Sequence, residues 1–418
     1  MKKRHLALGI GLLLCGVGLA GWIYQIIKGL TVTNLSNLFS WGLYMGTFEF
    51  FIGAASGGML LFSIAYLFQV EALKPFVKLG SVTSLACVVA AGVAIMTDLG
   101  QPFRVLQMIF TPNLGSPLFW DVVVLGLYFV VCAIAVLIQF LPDVGRNRDR
   151  RGAKLDREAR SHKLAYAALP MVVIMNAVTT LMFAVQNTRE WWHSALLPAD
   201  SVAVATALGL SVMMFVCMLA VGKNGFETHA AAFALMAKIA GVAILVHLCF
   251  TVLELVPIAW SGTAESKELL ELLFGHYGLL YGAELILPLI AMVLYFSRIS
   301  NSKPAGLGVM NLFVILGSFI HRMMLLLPAF NMIPLTISVA GLEENMWSYP
   351  ISSGILEPGK ELFVTFWDYT PSLIEWCVNL LPFGLVILVL AGTMVFHPMI
   401  TASKRSATAK SDHKEATV

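Results

Sequence analysis

The sequence predicts an all-α integral membrane protein of about ten transmembrane helices. They are expected as two four-helix bundles flanked by the first and last helices, with both termini cytoplasmic. Three observations lead there. Hydrophobic residues make up 58% of the 418-residue chain and charged residues only 12%, with a mean hydropathy of +0.82, which excludes an ordinary soluble globule. Apolar runs of roughly 20 residues, enough to cross a bilayer, recur along the chain. Basic residues gather in alternate short loops, as cytoplasmic loops do.

The spans cover approximately residues 5–27, 41–68, 77–97, 116–141, 164–186, 201–222, 233–258, 275–297, 305–330 and 371–397. The first follows Lys2, Lys3, Arg4 and His5 and resembles a signal peptide. Leu12-Leu13-Leu14-Cys15 resembles a lipoprotein cleavage site, but Leu14 is too bulky for the position before the cysteine, and no Ala-x-Ala site follows. The run continues to Ile27, so it reads as a helix that spans. Lys2, Lys3 and Arg4 place the N-terminus inside. The loop after the fourth span, with Arg146, Arg148, Arg150, Arg151, Lys154, Arg157, Arg160 and Lys163, then falls inside too. So does the tail with Lys404, Arg405 and Lys410. Asp143, Asp149, Asp156 and Glu158 intersperse the basic loop, which makes it a solvated topology signal rather than a nucleic-acid patch.

The second to fifth and the sixth to ninth spans supply four helices each. The chain accordingly divides into 1–40 (first helix and outer loop), 41–200 (first bundle, with the expected ligand site), 201–330 (second bundle) and 331–418 (long outer loop, last helix and tail). The outer segments 98–115, 187–200, 259–274 and 331–370 are rich in Trp, Pro and Gly, and the last carries Trp347, Tyr349, Trp367 and Tyr369. A loop of that length is expected to serve as a docking surface.

Within residues 97–121, Asp98, Arg104 and Asp121 sit at a membrane edge among Gly100, Pro102, Pro112, Gly115 and Pro117. Charges at that depth need a partner, a cavity or a ligand, so this stretch reads as one wall of a binding site. Other polar residues fall at middle or outer depth: Tyr44, Glu49, Asn176, Gln186, His247, Glu254, Glu284, His321, Arg322 and Glu375. The inner half offers little beyond Ser56, Ser63, Thr83, Ser84 and Lys238. Ionisable groups that stop partway suggest a site open to the outside rather than a transport path. Glu49, ahead of Gly53, Gly57 and Gly58, is the acid hardest to assign to packing. Arg322 is expected to pair with a carboxylate such as Glu375, and Asp121 either to cap the fourth helix or to pair with Arg104.

No metal ligand set is apparent. The six cysteines, Cys15, Cys87, Cys132, Cys217, Cys249 and Cys377, lie in apolar runs without a Cys-x-x-Cys pair. This argues against an iron–sulfur cluster or structural zinc within the chain. Haem held by two histidines needs them facing at similar depth. His247, His276 and His321 form no spaced pair within a helix, so no haem is expected.

Four segments carry a family resemblance. Trp41-Gly42-Leu43-Tyr44 opens a helix containing Gly53 and Gly57-Gly58. Asp98-Leu99-Gly100-Gln101-Pro102-x-Arg104 follows the third span, and Ser116-Pro117-Leu118-Phe119-Trp120-Asp121 opens the fourth. Tyr369-Thr-Pro371-Ser-x-x-Glu375 opens the last. Together they resemble the NrfD/polysulfide reductase membrane-subunit family, whose ten-helix members include the membrane subunit of hydrogenase-2. Many members carry a histidine early in the fifth span, where this chain has Asn176; Trp191-Trp192-His193 resembles a Trp-His element that follows it.

The resemblance implies a quinone- or menaquinone-reactive subunit of the bacterial cytoplasmic (inner) membrane, without its own metal, haem or cluster. It implies electron exchange with a ferredoxin-like iron–sulfur subunit on the outer, periplasmic face and, through it, with a catalytic subunit such as a molybdopterin enzyme or hydrogenase. On that reading Glu49 and Asp121 exchange protons with the quinone. Trp41, Tyr44, Asp98, Arg104, Asn176 and His193 contact it, while His247, Glu254 and Glu284 line a proton path. The alternatives are an ion- or proton-translocating subunit and a purely structural anchor.

Overall fold

The computed structural model describes residues 2–36, 39–144, 150–186, 189–297, 303–331, 336–338, 346–348, 351–352, 363–364 and 368–396. Ten helices among them are long and apolar enough to cross a membrane. They are α1 (Lys2–Lys28), α2 (Leu43–Leu67), α3 (Val77–Asp98), α4 (Pro117–Val144) and α5 (Arg150–Ala184). The others are α6 (Leu197–Phe226), α7 (Ala230–Ser261), α8 (Gly278–Phe296), α9 (Pro304–Asn331) and α10 (Leu373–Phe396). The protein is a multi-pass integral membrane protein, and most boundaries fall within a few residues of the apolar windows.

The largest departure is α5. The expected basic loop is helical from Arg150 onward. Its Arg, Lys, Glu and Ala residues are good helix formers, but no apolar window can register a polar extension. Connections on the opposite face are also structured. Pro102–Leu106 and Gln107–Phe110 form short helical turns, and Ala264–Glu271 runs into a π turn at Leu272–His276. Within 331–370 two short antiparallel pairs occur, Thr336–Ser338 with Met346–Ser348 and Ile351–Ser352 with Phe363–Val364. The side chain of Trp347, together with Tyr349, Trp367, Arg146, Arg148 and the tail residues Lys404, Arg405 and Lys410, lies outside the described residues.

Helices α2–α5 pack into one four-helix bundle and α6–α9 into a second. The seam between them is the crossing of α2 on α6. There Gly57 and Gly209 lie backbone to backbone, so that a Cβ on either would fall onto the other's main chain. Small residues allow this approach where lipid-like interiors provide no hydrophobic driving force. Helix α2 is the hub of the molecule, with all but Ile64 and Leu67 buried. Ser84 Oγ of α3 and Tyr128 Oη of α4 both donate to the Ala55 carbonyl of α2, at 2.5 and 3.0 Å.

Helices α1 and α10 run antiparallel beside this core, with Gly18 against Leu381 and Gly384 against Cys15. Arg4 Nη1 donates to the Met394 carbonyl at 2.7 Å, so the start of α1 and the end of α10 share one face.

The start of α10 explains Glu375, which does not meet Arg322. Ser372 and Glu375 form a reciprocal capping box: Glu375 N donates to Ser372 Oγ at 3.3 Å and Ser372 N to Glu375 Oε2 at 2.8 Å. The same carboxylate accepts from Asn34 N at 2.9 Å and from the Tyr369 hydroxyl. Tyr369 Oη in turn accepts from Leu43 N, the first residue of α2, at 2.9 Å. Burial and the adjacent Glu375 carboxylate push the Tyr369 phenol up, so it remains a donor. Glu375 thus ties α10 to the entry of α2.

Candidate functional site

Apart from Glu375 in the α10 cap and Lys78 against Phe140, the buried acidic, basic and histidine side chains gather in two clusters, one at the seam on α2 and one within the second bundle. Both lie toward the face that carries the starts of α2, α4, α6, α8 and α10.

The first cluster is centred on Glu49, six residues into α2. Its Oε2 lies 3.4 Å from Nη1 of Arg322 on α9, and each side chain is 1% exposed. This ion pair crosses the seam between bundles. Arg322 Nη1 and Nη2 also reach Ser201 Oγ of α6 at 3.4 and 3.3 Å. Ser201 Oγ donates to the Asn176 carbonyl of α5 at 3.3 Å. The Asn176 amide nitrogen gives both protons away, to Ser56 Oγ at 2.7 Å and the Val172 carbonyl at 2.8 Å. Because that carbonyl can only accept, the amide orientation is fixed.

Asp121 is buried and accepts from Thr179 Oγ1 of α5 at 2.7 Å, whereas Arg104 is exposed. The expected cap or Arg104 pair is therefore replaced by a link between α4 and α5. An acid one turn inside an apolar helix reaches its neighbour helix more readily than a loop.

Four polar atoms around this cluster have no hydrogen-bond partner among the described residues: Glu49 Oε1, Asn176 Oδ1, Thr47 Oγ1 and Arg322 Nε. Buried groups normally find partners, so these atoms leave hydrogen-bonding capacity unused here, as Tyr281 Oη and Glu284 Oε2 do in the second bundle. Two of the four, the Glu49 and Asn176 oxygens, are pure acceptors.

The rim is built by other expected residues. Tyr44 Oη donates to Gln25 Oε1 of α1 at 2.6 Å, and Gln25 Nε2 donates to the Thr97 carbonyl at 2.8 Å, beside half-buried Asp98. Trp41 packs on Phe183, Trp192 and Phe330 at centroid distances of 5.7, 6.1 and 6.1 Å. Trp191 and Trp192 donate their indole N–H groups to the Met324 and Leu325 carbonyls of α9 at 3.0 and 2.6 Å. His193 is exposed. The tryptophans, not the histidine, take the inward positions of that segment. Sequence reasoning missed Gln25, Thr179 and Ser201, neutral residues whose roles depend on helix neighbours.

The second cluster joins α6, α7, α8 and α9. His247 Nδ1 is 2.7 Å from Asp200 Oδ1, and His321 Nδ1 is 2.7 Å from Glu284 Oε1. His321 Nε2 lies 3.8 Å from Asp200 Oδ2. The two imidazoles meet edge to face with centroids 4.9 Å apart. Ser194 Oγ donates to Glu254 Oε1 at 2.6 Å, about two turns before the end of α7. Two histidines on different helices do face each other, which spacing within one helix could not reveal. His247 Nδ1 and His321 Nδ1 both face carboxylate oxygens. Asp200, in the first turn of α6, carried no signal in the sequence beyond a polar helix start.

The other half of the membrane is less bare than composition suggested. Ser211, Tyr295 and Asn311 form a buried hydrogen-bonded group in the second bundle, at 3.1 and 2.7 Å. Gln139 Nε2 bridges Ser161 and Tyr66 at 3.0 and 3.3 Å in the first. These residues are neutral, so a search for charges passes over them.

The chain is similar in sequence to several known proteins. The chain is 31% identical over 263 residues to a Halobacterium salinarum protein that is named, provisionally, as the membrane subunit of a dimethyl sulfoxide reductase. That match spans 61% of this chain and 60% of the relative. It is 24% identical to a selenate reductase subunit of Mesobacillus selenatarsenatis, over 93% of this chain and 92% of that protein. It is 23% identical to the Hdr-like menaquinol oxidoreductase integral membrane subunit of Archaeoglobus fulgidus, over 46% and 45% respectively. The family model described as polysulphide reductase, NrfD, matches residues 31–334. That match covers well over half of the sequence and all four helices of both bundles, and the chain belongs to the NrfD polysulphide reductase family.

Proposed function

We propose that the chain is the quinone-reactive membrane subunit of a respiratory reductase complex, and that the first cluster binds the head group of a quinol. The observation that carries this is the pair of unused buried acceptors, Glu49 Oε1 and Asn176 Oδ1. The donor protons of Asn176 and Tyr44 are already committed within the protein. A ligand that brings two hydroxyl donors, as a quinol does, complements that arrangement better than one that brings two carbonyls. Quinol oxidation releases two protons and two electrons. Glu49 receives the first proton, and Asp121 lies on the route of the second. Arg322 supplies the counter-charge that holds Glu49 in place. Trp41, with the aromatic ring cluster around it, closes the loop side of the site.

The names of the relatives support the wider assignment, since they are subunits of reductases and of a menaquinol oxidoreductase. On this reading the chain lies in the bacterial inner membrane with both termini cytoplasmic. A ferredoxin-like iron–sulfur subunit docks on the periplasmic face, against Asp98, Arg104 and exposed His193, and passes electrons to a catalytic subunit of the molybdopterin or hydrogenase type. His247, Glu254 and Glu284 remain the proposed proton route of the second bundle, supported by their meeting with Asp200 and His321 in one chain.

The test compares the purified complex with a preparation lacking this chain. The complete complex is expected to oxidise a water-soluble menaquinol analogue, and the depleted one to react only with artificial dyes that reach the catalytic subunit directly. Equal menaquinol oxidation by both preparations would reduce this chain to an anchor.

A further inference from the structure

We propose that Asp200, His247 and His321 form a binding site for one divalent transition-metal ion of the zinc type. The site lies in the second bundle, and its case does not depend on the quinone reading. Four observations carry it.

The ligand set comes first. One carboxylate oxygen and two imidazole nitrogens, from α6, α7 and α9, lie within 4.8 Å of one another. Two histidines and one carboxylate are a donor set that suits zinc, and three protein ligands leave a fourth position for water.

The second observation is a gap. Asp200 Oδ1 meets His247 Nδ1 at hydrogen-bond distance, but Asp200 Oδ2 and His321 Nε2 stand 3.8 Å apart. That is too long for a hydrogen bond and suits two ligand atoms sharing one ion, each about 2.0–2.2 Å from it.

The third is the support behind His321. Its Nδ1 faces Glu284 Oε1 at 2.7 Å. A carboxylate on the far nitrogen fixes the tautomer that leaves Nε2 free to ligate, as metal-binding histidines commonly require. The other oxygen of that carboxylate, Glu284 Oε2, is buried and has no partner among the described residues. A small cavity lined by His247, Glu284, Ser318 and His321 adjoins it, with room for about one water.

The fourth is charge. Asp200, Glu254 and Glu284 bring three carboxylates to this end of the bundle, and the neighbouring cation, Arg322, is already paired with Glu49. Carboxylates in a membrane interior need compensation. A divalent ion held by Asp200 supplies it on the spot. An ion seated here also closes the proposed proton route, so metal would act as an inhibitor of that route.

The experiment uses the purified full-length chain, in its complex, equilibrated with Zn2+ and then dialysed against buffer. Elemental analysis is expected to find about one equivalent retained per chain beyond what the partner subunits hold. Asp200→Asn and the double variant His247→Gln/His321→Gln are expected to lose it. Glu284→Gln is expected to weaken retention on the order of 10-fold, because it removes only the support behind His321. His162→Gln, on the far side of the protein, is expected to retain it in full. If a variant does not assemble, the wild type still decides: Zn2+ is expected to protect His247 and His321 from diethylpyrocarbonate, read peptide by peptide. No retained zinc, equal retention in Asp200→Asn, or no protection of the two histidines would each overturn the site and leave the cluster neutralised by protons alone.

Discussion

Glu49→Gln is expected to lower menaquinol-dependent turnover by roughly 100-fold or more, the scale of losing a positioned proton acceptor, with the complex still assembled. The substitution keeps the shape of the side chain and removes its charge. It also leaves Arg322 without its partner in a buried site, and breaking a buried pair from one side costs about 3–5 kcal/mol. Two effects are therefore superimposed, loss of chemistry and loss of stability. Glu49→Gln combined with Arg322→Met separates them. Removing both charges together is expected to recover most of the thermal stability, since paired removal of buried ions is often neutral, while turnover stays low. Recovery of turnover in the double variant would mean that Glu49 matters only as a partner for Arg322.

Gly57→Ala is expected to have the largest structural effect of any single methyl group added to this chain. Its Cβ would fall on the main chain of Gly209, where no flexible side chain can yield. Overpacking a core costs about 1–3 kcal/mol when neighbours can shift, and here the neighbour is helix backbone. The seam also carries the Glu49–Arg322 pair, so prying α2 from α6 should lower turnover and stability together. Gly209→Ala is expected to act in the same way, and Gly16→Ala, with open space around it, to be silent. Thermal unfolding in detergent, followed by size-exclusion chromatography, measures all three. A wild-type unfolding midpoint for Gly57→Ala would show that the bundles tolerate separation.

The helices of this protein were legible because lipid imposes a length and a composition on each span. Glu49 stood out for a related reason: a carboxylate inside an apolar helix has no neutral explanation in its own segment. Its partner was not legible. Arg322 lies more than 270 residues away on a helix of the other bundle, and only the α2–α6 crossing brings α9 close enough. The expected Arg322–Glu375 pair failed for a local reason that the sequence did contain. Ser372-x-x-Glu375 is a capping-box pattern, and a carboxylate engaged by its own helix end is not free for a distant guanidinium. The histidine pair was hidden for the same reason as the ion pair, since His247 and His321 meet across helices. The helical extension of α5 was hidden because its residues are polar and the signal sought was apolar.

The central claim, that a quinol head group binds against α2 and α5 in the first bundle, is tested most directly by a photoreactive quinone analogue. The complex would be irradiated with the analogue, digested, and the labelled peptides identified by mass spectrometry. Labels within 43–67 and 156–184, suppressed by excess unlabelled menaquinol, are the predicted result. Competable labelling confined to α8 and α9 would place the site in the second bundle and contradict the account.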